Sequence, residues 1–94
     1  MRSALQVLTE TIDLEKKGVV YISCFSFVYE GVEVQYYGHY YGYAFHAGKS
    51  DEYEFAGDDF ESMLDCYIPI ANKSLKQMLG ELREFDLAIA IEKI

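Results

Sequence analysis

Tryptophan is absent from this sequence, proline occurs once, cysteine twice, and 8 lysines and arginines face 16 aspartates and glutamates. Each shortage excludes something. Two cysteines, Cys24 and Cys66, are too few for a disulfide framework and lack the paired spacing of a metal site, so both are expected as reduced, largely buried thiols. The deficit of cations leaves a formal charge of -8, which repels phosphate backbones and argues against direct nucleic-acid binding. No span approaches the roughly 20 apolar residues of a membrane helix, and Met1 to Glu10 holds no signal-like apolar core, so no membrane association is expected and the cytoplasm is the expected location. Nor is there a Pro/Gly/Ser-rich linker, so the 94 residues are read as a single domain, 1–94.

Signatures of chemistry are equally scarce. The chain has no G-x-S-x-G elbow, no phosphate-binding loop and no G-x-G-x-x-G, and no spacing ties Ser23, Ser26, Cys24 or Cys66 to a histidine. No catalytic residue, no cofactor and no metal are therefore assigned. His39 and His46 lie seven positions apart without a neighbouring cysteine, and the acidic residues after Asp51 do not match a calcium-binding loop.

What the sequence does contain is apolar and aromatic: 51% hydrophobic residues and 16% aromatic ones, enough to order the chain nearly throughout. Ala4, Leu5, Leu8 and Ile12 recur at helical spacing after Ser3, which predicts a helix over 3–17 ended by Gly18. The β-branched and aromatic run 19–29 predicts a largely buried strand, Glu30-Gly31 a tight turn, and the alternation from Val32 to Tyr36 a half-exposed return strand. Beyond it, Gly38 and Gly42 leave two readings open, one long bent strand or two strands joined between them. Residues 47–57 read as a polar connection.

Asp58 with Glu61 has capping-box spacing and predicts a helix from about 58, with Phe60, Met63, Leu64 and Tyr67 inward and Pro69 as its end. A further helix carries Ala71, Leu75, Met78, Leu79 and Leu82. In the tail, alternating Leu87, Ile89 and Ile91 favour a closing strand, while Leu87, Ile91 and Ile94 also fit helical spacing. The expected class is α+β, a small antiparallel sheet of two to four strands packed against an N-terminal helix and C-terminal helices.

Two features point towards function. Tyr36, Tyr37, Tyr40, Tyr41 and Tyr43, with Phe45, form an aromatic cluster in which adjacent tyrosines on a strand must face opposite ways. Some rings are thus expected to be exposed, either covering the sheet as cross-strand pairs or serving as anchors for a protein partner, a second copy or a stacked small molecule. The second feature is acidic: Asp51, Glu52, Glu54, Asp58, Asp59, Glu61 and Asp65 lie in a stretch, 50–72, that holds no lysine or arginine. Beyond a solvated loop and an acidic helix start, such a run can steer a basic protein partner. In charge, size and composition, though in no motif, the chain is similar to small acidic nucleic-acid-mimicking inhibitors encoded by phages and mobile elements. The leading expectation is a non-enzymatic protein-binding domain of inhibitor or immunity type. Two alternatives stand beside it: a small-molecule-binding domain or small enzyme with a pocket lined by Tyr40, Tyr43 and His39, and a structural homo-oligomer such as a homodimer.

Overall fold

The computed structural model describes residues 2–39, 42–49, 53–57 and 60–94, with the backbone alone for His39 and Tyr43. Helix α1 (Ala4–Lys16) opens on a capping box: the Ser3 hydroxyl accepts from the Gln6 amide and the Gln6 side chain accepts from the Ser3 amide. Gly18 ends it at φ +76°, a left-handed conformation suited to glycine.

Strand β1 (Val20–Tyr29) and β2 (Val32–His39) form the expected hairpin. Its two-residue turn has Glu30 at φ 46° and Gly31 at φ 82°, the double left-handed geometry that matches strand twist. The segment after β2 is two strands rather than one bent strand, since β3 (Gly42–Ala47) pairs back antiparallel, with His39 opposite Gly42.

Within 47–57, expected as a polar connection, Tyr53–Gly57 is instead strand β4, paired with β3. Its Tyr53 and Phe55 pack on Phe45 from the border, so a short apolar alternation became a strand once a neighbour offered its open edge. The tail is strand β7 (Ala88–Lys93), antiparallel to β1. The sheet order is therefore β4-β3-β2-β1-β7, five strands, wider than the two to four expected because of β4.

The middle of the chain departs further from expectation. Helix α2 spans only Phe60–Leu64, and Tyr67, expected on its buried face, is exposed in strand β5 (Tyr67–Ile68). Pro69 is the reason: it forces Ile68 into extended geometry, and the chain then turns through Asn72 at φ 56° into β6 (Lys73–Ser74). Helix α3 (Leu75–Glu81) accordingly starts four residues after Ala71, on a second capping box between Ser74 and Gln77. A 3-10 turn (Glu84–Asp86) leads into β7.

The three α-helices of the described residues cover one face of the sheet. Phe25, Phe27 and Tyr29 of β1, Val34 and Tyr36 of β2 and Phe45 of β3 meet Leu8, Ile12, Met63, Leu75, Met78 and Leu79 in one buried cluster. Phe25 and Tyr36, opposite each other in the ladder, stack at 4.7 Å, and Phe60 closes over Tyr36 at 5.0 Å. One irregularity adjusts β1 to this core. Val20 and Ile22 face inward on even positions, whereas Phe25, Phe27 and Tyr29 face inward on odd ones. A bulge against β7 between Ile22 and Cys24 absorbs Ser23 and restores the phase.

Candidate interaction face

The opposite face of the sheet is bare, with no helix of the described residues on it. The ladder places Ala88, Ser26, Gln35, His46 and Glu54 in one row across the five strands. The adjacent row is Ala90, Cys24, Tyr37, Ala44 and Ala56. Val28 and Glu33 follow on one side, and Tyr21 with Glu92 on the other. Short side chains over β7 and β1 leave a shallow depression lined by Ser26, Gln35, Glu33, Ala88 and Asp86.

Tyr37 lies at the middle of this face, on β2. It is 47% exposed, and its hydroxyl donates to Gln35 Oε1 at 2.8 Å. The His46 ring meets it edge-on at 6.1 Å, and His46 Nδ1 lies 3.3 Å from Glu54 Oε1. The ring is thus held upright by neighbours on β2 and β3, which limits the entropy it would lose on contact. Tyr21 donates to Glu92, and that hydrogen bond, together with burial, raises its phenol pKa.

The charge on this face has one sign. Its described carboxylates are Glu33, Glu54 and Glu92, with Asp86 at the rim of the depression. Among the described residues, no lysine or arginine occupies an outward position on any of the five strands. The described pairs of lysine or arginine with carboxylates lie in the helical layer and its connections: Arg2 with Glu10 and Glu84, Lys16 with Glu61 at 2.8 Å, and Lys73 with Glu81 at 2.6 Å.

The expected site residues are divided by this geometry. Tyr36 is 2% exposed and belongs to the core, while its neighbour Tyr37 faces outward, as alternation requires. Glu54 lies on the bare face, but Glu61 projects from α2 on the helical side, where Lys16 of α1 partners it; a contact 45 residues long neutralises what looked locally unbalanced. Asp65 is exposed after α2. Tyr40, Tyr41, Asp51, Glu52, Asp58 and Asp59 lie outside the described residues, as does the Tyr43 side chain, and with them the pocket expected at Tyr40, Tyr43 and His39.

Sequence reading missed Glu33, Gln35, Glu92 and the alanines as members of one surface. The signal was available for Glu33 and Gln35 in their alternation with Val32, Val34 and Tyr36, but β7 could join them only through tertiary pairing.

Neither cysteine is fully buried. Cys24 is half-buried on the bare face, since it falls on the outward side of the bulge, and Cys66 is half-buried after α2. Burial, and then Asp65, push the Cys66 thiol above its ordinary pKa, which keeps it protonated and poorly nucleophilic at neutral pH. Among the described residues, no group of three or more histidines, cysteines or carboxylates could hold a metal ion, and no helix is long and apolar enough to cross a membrane. No family model, curated protein or solved structure matches this chain.

Proposed function

We propose that this chain is a small non-enzymatic binding domain that docks a basic protein on the bare face of its sheet and acts there as an inhibitor or immunity-type factor. The observation that carries this reading is the segregation of charge. Among the described residues, the face holds carboxylates without lysine or arginine at its outward strand positions, while the described lysine and arginine ion pairs lie on the helical side. Such a surface draws cationic partners by long-range attraction, and Tyr37, with the alanine rows around it, supplies an apolar centre to desolvate on contact. Much of the acidic segment expected from sequence to do this lies outside the described residues, so the proposal rests on Glu33, Glu54, Glu92 and Tyr37.

The test is a tagged capture from host lysate with identification by mass spectrometry, run beside Glu33→Lys/Glu54→Lys, Tyr37→Ala and, as a helix-side control, Glu10→Lys. A basic protein retained by the native chain and the control but lost from both face variants supports the proposal. Retention that ignores the face variants, or a captured protein that is itself acidic, overturns it.

A further inference from the structure

Strand β7 forms one border of the sheet, with β1 on one side and no strand of the described residues on the other. Its main-chain groups alternate in direction. The Ala90 carbonyl accepts from the Ser23 hydroxyl at 3.2 Å, and the Ile94 amide donates to the Val19 carbonyl at 3.2 Å, so the even-numbered residues turn towards β1. The odd-numbered Ile89, Ile91 and Lys93 consequently present their N–H and C=O groups at the free border.

Borders of this kind are ordinarily blunted by an inward charge, a proline or a bulge, because they template pairing with another strand. From Leu87 to Ile91 there is none of these: five consecutive residues are uncharged, and the bulge at Ser23 sits on the β1 side. The other border, β4, carries Glu54 near its centre. Beside this border apolar side chains are left exposed, Ile91 by 45% and, at its end, Val19 by 50% and Ile94 by 80%.

We propose that two copies of this chain associate through antiparallel pairing of β7 with β7, joining the two sheets into one. Charge and isoleucine pairing together select the register. Centred on Ala90, the pairing sets Ile89 against Ile91 of the second copy, as a pair whose outward main-chain groups exchange hydrogen bonds, and sets Glu92 against Ala88. A register centred on Ile89 opposes Asp86 to Glu92, one centred on Glu92 opposes Glu92 to itself, and one centred on Ile91 sets Lys93 against Ile89. The Ala90 register makes two isoleucine pairs, where the Ile89 and Ile91 registers each set a single isoleucine against itself, and it opposes no two carboxylates, with Lys93 falling beside Leu87 at the end of the strand. The contact uses the border and leaves the bare face open, so it stands independently of the partner proposed above. With -8 on each copy, added salt should strengthen it.

Sedimentation equilibrium across the micromolar range, at low and high salt, tests this with the native chain, Ile91→Lys and Ile91→Pro. The proline removes an outward amide and leaves the ladder to β1 intact. The native chain should approach twice its 10.8 kDa mass as concentration and salt rise, and both variants, folded by circular dichroism, should stay at 10.8 kDa. Amide exchange at Ile89 and Ile91 in the native chain should slow with concentration, a readout that survives if a variant fails to fold. A native mass of 10.8 kDa throughout, folded variants that dimerise like the native chain, or exchange at these two amides that ignores concentration would each overturn the proposal.

Discussion

A Cβ atom on Gly38 would stand 2.4 Å from the carbonyl oxygen of Ile22, closer than any side-chain carbon can approach main chain without displacement. Gly38 of β2 lies where β1 begins the bulge that rephases its inward residues, so the glycine admits a backbone approach on which the core alignment depends. Gly38→Ala should destabilise the fold by about 1–3 kcal/mol, since neither strand can move away without disturbing its ladder. Urea unfolding checks this, and an unchanged midpoint would mean that the bulge tolerates the shift.

The hairpin turn makes the opposite prediction. Glu30 is held at φ 46°, a region that asparagine enters more readily than glutamate, ahead of Gly31 at φ 82°. Glu30→Asn should raise stability by up to about 1 kcal/mol without changing the Tyr29–Val32 pairing. Thermal melting supplies the measurement.

At the far end of β1, the buried Tyr29 donates to Glu81 Oε2 at 3.0 Å and accepts from Lys73, whose ammonium also binds Glu81. Hydrogen bonds from Lys73 and then Tyr29 hold the Glu81 carboxyl below its ordinary 4.5, and the Glu81 hydrogen bond raises the Lys73 pKa above its ordinary 10.5. A carboxyl lowered in the folded state contributes stability above pH 4.5 and loses it as pH falls through the lower folded value; a raised lysine contributes below pH 10.5 and loses it as pH rises above that. Glu81→Gln should therefore be less stable than the native chain near neutrality, with the two curves converging in acid. Denaturation midpoints followed downward from pH 6 read this out, and parallel curves would show that the carboxylate adds nothing.

Tyr37 separates binding from folding. Its ring is half exposed and meets Gln35 and His46 on its own face, so Tyr37→Ala should change stability by less than about 0.5 kcal/mol. The same change should weaken binding of the basic partner by about 2 kcal/mol or more, as loss of a central aromatic anchor does. Titration calorimetry with the captured partner would show it, and an undiminished affinity would place the contact elsewhere.

Much of the fold was legible because its signals are local. Ser3 and Gly18 bracket α1, Glu30-Gly31 places the hairpin turn, and the alternation of Leu87, Ile89 and Ile91 marks a strand. Helix α2 was overextended because Phe60, Met63, Leu64 and Tyr67 keep helical spacing, although Pro69 commits Ile68 to an extended backbone. The Ser74–Gln77 capping box went unread, which is why the helix expected from Ala71 begins only at Leu75.

By itself, then, the sequence determined an acidic α+β chain, its first helix and hairpin, and the opposition of Tyr36 and Tyr37, because periodicity and turn chemistry act within a few residues. Only the tertiary structure decided which tyrosine is core, that Lys16 reaches Glu61, and that β4 and β7 border a bare face gathering Glu33, Glu54 and Glu92. Those outcomes depend on pairing between strands far apart in the chain, where each strand's partner, rather than its own composition, sets which way its side chains point.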